Sequence, residues 1–97
     1  MVRMIRSAES KIGMFPQSVA FAKKIAAYVR KAYKADIKVY ANSKGVLFWI
    51  VDYKDYSDYD RTRNRLTSDK KYWQIISTAK NLFVEGSLCD ELVTQID

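Results

Sequence analysis

Residues Lys44 to Tyr53 read KGVLFWIVDY, and within them six apolar residues stand in an unbroken row from Val46 to Val51. Just upstream, Ile37, Val39 and Ala41 alternate with Lys38 and Tyr40, the period-two pattern of a half-buried strand. Asn42 to Gly45 supplies a turn between the two runs, so they are expected to pair as a hairpin. The second strand is apolar on both faces: Leu47, Trp49 and Val51 would point one way, Val46, Phe48 and Ile50 the other. Such a strand needs cover on both sides, because each large apolar side chain left in water forfeits roughly 1.5 to 3 kcal/mol.

The flanking sequence supplies cover for one side. Val2 to Lys11 suits a strand, closed by Gly13 and Pro16. From Ser18 to Tyr33, Phe21, Ala22, Ile25, Tyr28, Val29 and Ala32 recur at helical spacing, with Lys23, Lys24, Arg30, Lys31 and Lys34 on the remaining face. After the hairpin, Ser57 offers an N-cap and Asp58 and Asp60 suit a first helical turn. The weak helix formers Thr67, Ser68 and Asp69 predict either one long helix or two with a kink near Ser68. Leu82 to Ile96 is strand-like, with Gly86 the natural place for a bulge and Cys89 to Glu91 a possible bend.

The order is α+β, a ferredoxin-like βαββαβ plan: an antiparallel sheet with its first and third strands central and both helices on one face. Two helices leave the second face bare. A twofold copy of the same sheet is the simplest cover, so a homodimer packed through the sheet face is expected. The alternative is that flanking side chains or the C-terminal segment fold over the patch.

With 97 residues, the chain is expected to form one domain, 1–97, around one small core. Histidine is absent, which removes Ser-His and Cys-His nucleophilic pairs, imidazole metal or haem ligands, and any side chain with an ordinary pKa near neutrality. Cys89 is the single cysteine and reads as a small buried hydrophobe; with no apolar signal core at the first residues, a reducing cytoplasmic location is expected. No apolar run approaches the roughly 20 residues of a membrane span. The net charge of +6 suits either solubility or acidic partners.

The chain resembles the dimeric α/β-barrel superfamily, which holds antibiotic-biosynthesis monooxygenases, NIPSNAP-like and EthD-like proteins. The resemblance covers nearly the whole chain and rests on element order, on GVLFWIVDYKD, on LTSDKKYW and on LFVEGS. It implies a homodimer with a cavity between sheet and helices in each subunit. Some members oxidise polycyclic aromatic compounds without a cofactor; others bind haem through histidine, which this chain lacks. The expectation is therefore no cofactor.

Candidate ligand-binding residues come from two sets. Arg6, Ser7 and Glu9 are polar positions in a strand that should be central, where a charge needs a partner. One reading is a structural ion pair, for example Arg6 with Glu85; the other is a polar cavity that orients an anionic or carbonyl-bearing ligand. Tyr40, Trp49, Tyr53, Tyr72 and Trp73 would either line a pocket for a planar ligand or fill the core. Arg65, one turn from Arg61, is a candidate for holding a carboxylate or phosphate, against a solvated or acid-paired face. Asp52, Asp55, Asp58 and Asp60 lack the glycine and spacing of a calcium loop and read as caps and loop charges, so no metal is expected.

RNA-binding RRM domains share the strand order, and KGVLFWIV partly matches their aromatic signature. Val46 and Val51 replace two of the expected aromatics and the first strand has none, which argues against nucleic acid. The sequence thus points to a small homodimer that takes a small aromatic or carbonyl ligand, either as a cofactor-independent monooxygenase-like enzyme or as a non-catalytic binding or structural dimer.

Overall fold

The computed structural model describes residues 1–97. The first strand, β1 (Val2–Glu9), leads through a short turn into the helix α1 (Phe15–Tyr33). Pro16 sits at the start of α1 rather than acting as a stop after the strand, since its locked φ and missing N–H suit the first helical turn. The hairpin strands are β2 (Asp36–Ala41) and β3 (Val46–Tyr53). Two helices follow, α2 (Tyr56–Thr67) and α3 (Lys70–Ser77), and then the edge strand β4 (Cys89–Thr94). The sheet order is β2-β3-β1-β4 with every neighbouring pair antiparallel, so β1 and β3 are central as expected.

The kink near Ser68 is a complete break. The Ser68 and Asp69 N–H groups close α2 on the carbonyls of Arg65 and Leu66, and Asp69 caps α3 by accepting from the Tyr72 N–H at 3.1 Å. At the other end of α2 the cap is Asp55, not Ser57: its side chain accepts from the Asp58 N–H at 2.8 Å.

The strand expected over 82–96 is shorter than its composition suggests. Phe83 forms an isolated bridge with Ser10, Gly86 turns the chain at φ +81°, and regular pairing with β1 resumes only at Cys89. Across the gap, the Ser87 hydroxyl accepts from the Glu9 N–H at 3.1 Å, replacing a lost ladder bond. No bend interrupts Cys89 to Glu91, and Cys89 is exposed rather than buried, because β4 is an edge strand with no element packed over it.

The parity of β3 is settled by burial. Leu47, Trp49, Val51 and Tyr53 are buried beneath the helices, whereas Val46, Phe48, Ile50 and Asp52 are half-buried on the opposite face. The core joins these to Val2 and Ala8 of β1, Ile37 of β2, Phe21, Ala22, Ile25, Ala26 and Val29 of α1, and Tyr72 and Ile75 of α3. α2 contributes no buried residue and leans on the sheet through Tyr59 and Leu66. α1 is also tied to the end of β1 by a buried polar chain: Ser10 and Ser18 hydroxyls lie 2.8 Å apart, and Ser18 donates to the Leu82 carbonyl.

Candidate functional site

Strand alternation sorts the sequence candidates first. Arg6 pairs in register with Trp49 and Asp90, so it shares their face of the sheet and lies under the helices. Ser7 and Glu9, with the opposite parity, lie on the open face beside Phe48 and Val46. The expectation that Arg6, Ser7 and Glu9 enter one cavity therefore fails: consecutive odd and even positions of a strand cannot face the same side. Tyr40, opposite Phe48, is also on the open face and is 52% exposed.

On the helix face, Arg6 meets an acid from the neighbouring strand. Its Nε donates to Asp90 Oδ1 at 2.7 Å and its Nη2 to Oδ2 at 2.8 Å. The ion pair anticipated with Glu85 thus forms with Asp90 instead, because Glu85 lies in the turn before the β4 ladder while Asp90 stands directly across from Arg6. The Asp90 hydrogen bonds raise the Arg6 pKa and lower that of Asp90, so both stay charged; the Tyr72 side chain adds a smaller contribution to Arg6.

Tyr53 completes this cluster from the end of β3. Burial pushes its pKa up to about 12, reinforced by Tyr59, Asp58 and Tyr72 and opposed by Arg6. Its ring meets Tyr59 of α2 edge-on, with centroids 5.4 Å apart. The fold therefore gathers Arg6, Tyr53 and Tyr72 with two residues that sequence reading missed, Tyr59 and Asp90. Chemically the group offers a fixed cation, already matched by a carboxylate, and phenol hydroxyls able to donate hydrogen bonds, that of Tyr53 holding its proton past its ordinary range.

Trp49 sits deeper in the same layer. Its ring packs edge-on against Phe21 at 6.5 Å and Phe83 at 6.0 Å, and its Nε1 donates to the Ala22 carbonyl at 3.4 Å. At 7% exposure it is a core residue, and the aromatic set splits accordingly.

The remaining candidates lie apart. Arg65 places its guanidinium over the Tyr33 ring, 4.8 Å from the centroid, and Arg61 pairs with Asp58 at 3.3 Å, so the two arginines do not form an open fork. Near them, Asp69 Oδ2 accepts from both Tyr28 and Tyr33 hydroxyls at 2.6 Å, which locks α3 to α1. These bonds, Tyr28's first, hold Asp69 at a pKa of about 2. Trp73 is 49% exposed on the outer side of α3. It borders a shallow groove of about 480 Å³ lined by Thr67, Ser68, Lys70, Gln74 and Ser77. A second depression, about 210 Å³, runs along Met1, Arg3, Val93, Thr94 and Gln95, and neither touches Arg6 or Tyr53. No cluster of three potential metal ligands occurs, and no helix is long and apolar enough to cross a membrane.

No protein-family model matches the sequence, and no curated protein resembles it closely enough to count as a relative. Solved structures do resemble it. An uncharacterised NIPSNAP domain protein from Burkholderia xenovorans superposes with a TM-score of 0.81 at 15% identity, over 98% of this chain and 94% of that one. A NIPSNAP family protein from Agrobacterium tumefaciens C58 gives 0.80 at 11% identity, over 99% and 93%. An antibiotic biosynthesis monooxygenase gives 0.77 at 10% identity over 100% of both chains. Identities this low establish the fold alone: the chain has the ferredoxin-like architecture shared by NIPSNAP domain proteins and antibiotic biosynthesis monooxygenases.

Proposed function

We propose that the protein works as a single-domain homodimer, packed through the open sheet face into a dimeric α/β barrel, with each subunit binding a small aromatic or carbonyl-bearing molecule between sheet and helices. The observation that carries the dimer is the apolar content of the open face. Ile5, Val46, Phe48 and Ile50 form a contiguous half-buried patch on the two central strands, extended by Val93 on β4. No helix or further strand of the chain packs over it. A second copy presents the same patch and closes both at once. The free, exposed thiol of Cys89 fits a reducing compartment such as the cytoplasm.

Light scattering on a size-exclusion peak tests the assembly. A mass near twice 11.3 kDa is expected, and Phe48→Glu should reduce it to one subunit while helical content is retained. A wild-type monomer at micromolar concentration overturns the proposal.

For the ligand, the supporting feature is the group of Arg6, Tyr53, Tyr59 and Tyr72 on the helix side of the sheet. A Tyr53 phenol that holds its proton beside a carboxylate-paired guanidinium suits hydrogen bonding to a carbonyl or phenolic oxygen better than proton abstraction, which favours binding over base catalysis. Thermal shift against planar aromatic acids and polyketide-like phenols tests it: stabilisation lost in Tyr53→Phe is expected, and no stabilisation by any of them overturns the ligand reading. Monooxygenase-like turnover is the second reading, favoured by the full-length fold match to an antibiotic biosynthesis monooxygenase. Oxygen uptake with the same phenols distinguishes it from binding alone.

A further inference from the structure

The groove at the α2–α3 break lies apart from the Arg6–Tyr53 group and differs from it in chemistry. Single exposed aromatics are ordinary on protein surfaces, so the 49% exposure of Trp73 carries nothing by itself. Its immobilisation does. The indole Nε1 donates to the Thr67 carbonyl at 3.0 Å across the helix break, and Tyr72 stands edge-on against the ring, centroids 5.3 Å apart at 79°. The ring is therefore held as a fixed platform whose ordering has already been met by the fold, leaving little conformational freedom to lose on binding.

The residues around the indole are polar in type. Apart from the indole, the groove is lined only by Thr67, Ser68, Lys70, Gln74 and Ser77. Ordinary ligand pockets are predominantly apolar with a few polar groups. Here too exposed carbon predominates, from the indole and side-chain stems, but every lining side chain other than the indole ends in a polar group. The Thr67 and Ser77 hydroxyls donate to the Arg63 and Gln74 carbonyls, each at 2.6 Å, which leaves their lone pairs free to accept. Gln74 offers both an amide donor and a carbonyl acceptor, and Lys70, which forms no ion pair, offers further donors.

One flat apolar face with hydrogen-bond donors and acceptors among its neighbours matches a ligand with an aliphatic C–H face and hydroxyls around its rim. We propose that this groove binds a neutral oligosaccharide, one sugar ring stacked on Trp73 and its hydroxyls hydrogen-bonded to Gln74, Lys70 and Ser77. A stacked nucleobase fits less well, since a phosphate backbone needs a row of free cations. Lys70 is the single cation among the residues lining the groove, while Arg65, Arg61 and Lys71 are turned to Tyr33, Asp58 and the Tyr28 ring.

The test is a two-dimensional ¹H–¹⁵N titration of the full chain with cellotriose, maltotriose and chitotriose, read at the two indole N–H signals. Trp73→Phe assigns them. Expected is a saturable shift of the Trp73 signal with at least one trisaccharide and none at Trp49, which lies in the core. By isothermal titration calorimetry with the trisaccharide that binds, Trp73→Ala should abolish binding and Gln74→Ala should weaken it by up to about tenfold, the effect of one lost hydrogen bond. Should Trp73→Ala fail to fold, the wild-type titration and Gln74→Ala still decide. The proposal is overturned if no trisaccharide moves the Trp73 signal, if both indoles move together, if Gln74→Ala binds like wild type, or if a single-stranded oligonucleotide shifts Trp73 where the sugars do not.

Discussion

Arg6 and Asp90 meet through two parallel hydrogen bonds, 2.7 and 2.8 Å, across the junction of a central strand and an edge strand. The geometry is the fork-to-carboxylate arrangement that guanidinium groups favour. It joins β4, which has no layer above it, to the strand at the centre of the sheet.

Because the Arg6 side chain is 34% exposed and that of Asp90 48%, solvent screens much of the pair's attraction. A double-mutant cycle with Arg6→Met and Asp90→Asn should give a coupling of about 1 kcal/mol, below the roughly 1.5 to 3 kcal/mol of an unscreened charged hydrogen bond. Urea unfolding of the four proteins measures it. A coupling near zero would mean that the edge strand is held by its backbone ladder alone.

Asp69 predicts an acid-sensitive helix contact. Its folded pKa, about 2, lies below its ordinary value of 3.8, so its stabilising contribution is present above about pH 4 and is lost as pH falls toward about 2. The melting temperature of the wild type should decline through that window. Asp69→Asn should melt several degrees lower at neutral pH and show a flatter acid limb, since the two tyrosine hydroxyls and the cap of α3 lose their shared carboxylate. An unchanged acid limb in the variant would assign the pH response to other carboxylates.

Tyr53 predicts the mirror behaviour at high pH. Its pKa is raised from 10.0 to about 12, so the stability it contributes is complete below about pH 10 and is lost as pH rises toward about 12. Phenolate absorbance should show that Tyr53 ionises only with alkaline unfolding, and Tyr53→Phe should remove one late-titrating phenol from the curve.

Trp49 should be the more damaging of the two tryptophans to lose. At 7% exposure, packed on Phe21 and Phe83, its truncation to alanine should cost about 3 to 5 kcal/mol, whereas Trp73→Ala at the surface should cost less than half of that. Chemical denaturation monitored by circular dichroism compares them directly. For a domain whose total stability is about 5 to 15 kcal/mol, Trp49→Ala should be only marginally folded.

Gly45 offers a test of the hairpin turn. Its φ is +82°, and an added Cβ would meet only Phe15 Cδ1 at 3.9 Å, so Gly45→Ala suffers backbone strain without a clash. A loss of about 1 kcal/mol is expected, seen as a lowered urea midpoint with unchanged slope.

Local pattern alone determined much of this protein. The hairpin from Ile37 to Tyr53, the amphipathic α1, the break at Ser68 and the βαββαβ order are all legible in spacing and turn chemistry, because each depends on residues close together in the chain. The double-sided apolarity of Val46 to Val51 was equally plain, and with it the need for cover on both faces. Tertiary structure decided the parity: Trp49 turns inward because α1 supplies Phe21 and Ala22 on that side, a contact 27 residues distant along the chain. It also divided the candidate residues, setting Arg6 against Asp90 and Tyr53 while Ser7, Glu9 and Tyr40 look out from the opposite face. Register between strands far apart in sequence controls such pairings, and no local preference encodes it. Likewise Asp69 reads in the sequence only as one of the weak helix formers near Ser68, and the packing of α3 on α1 made it the shared acceptor of Tyr28 and Tyr33.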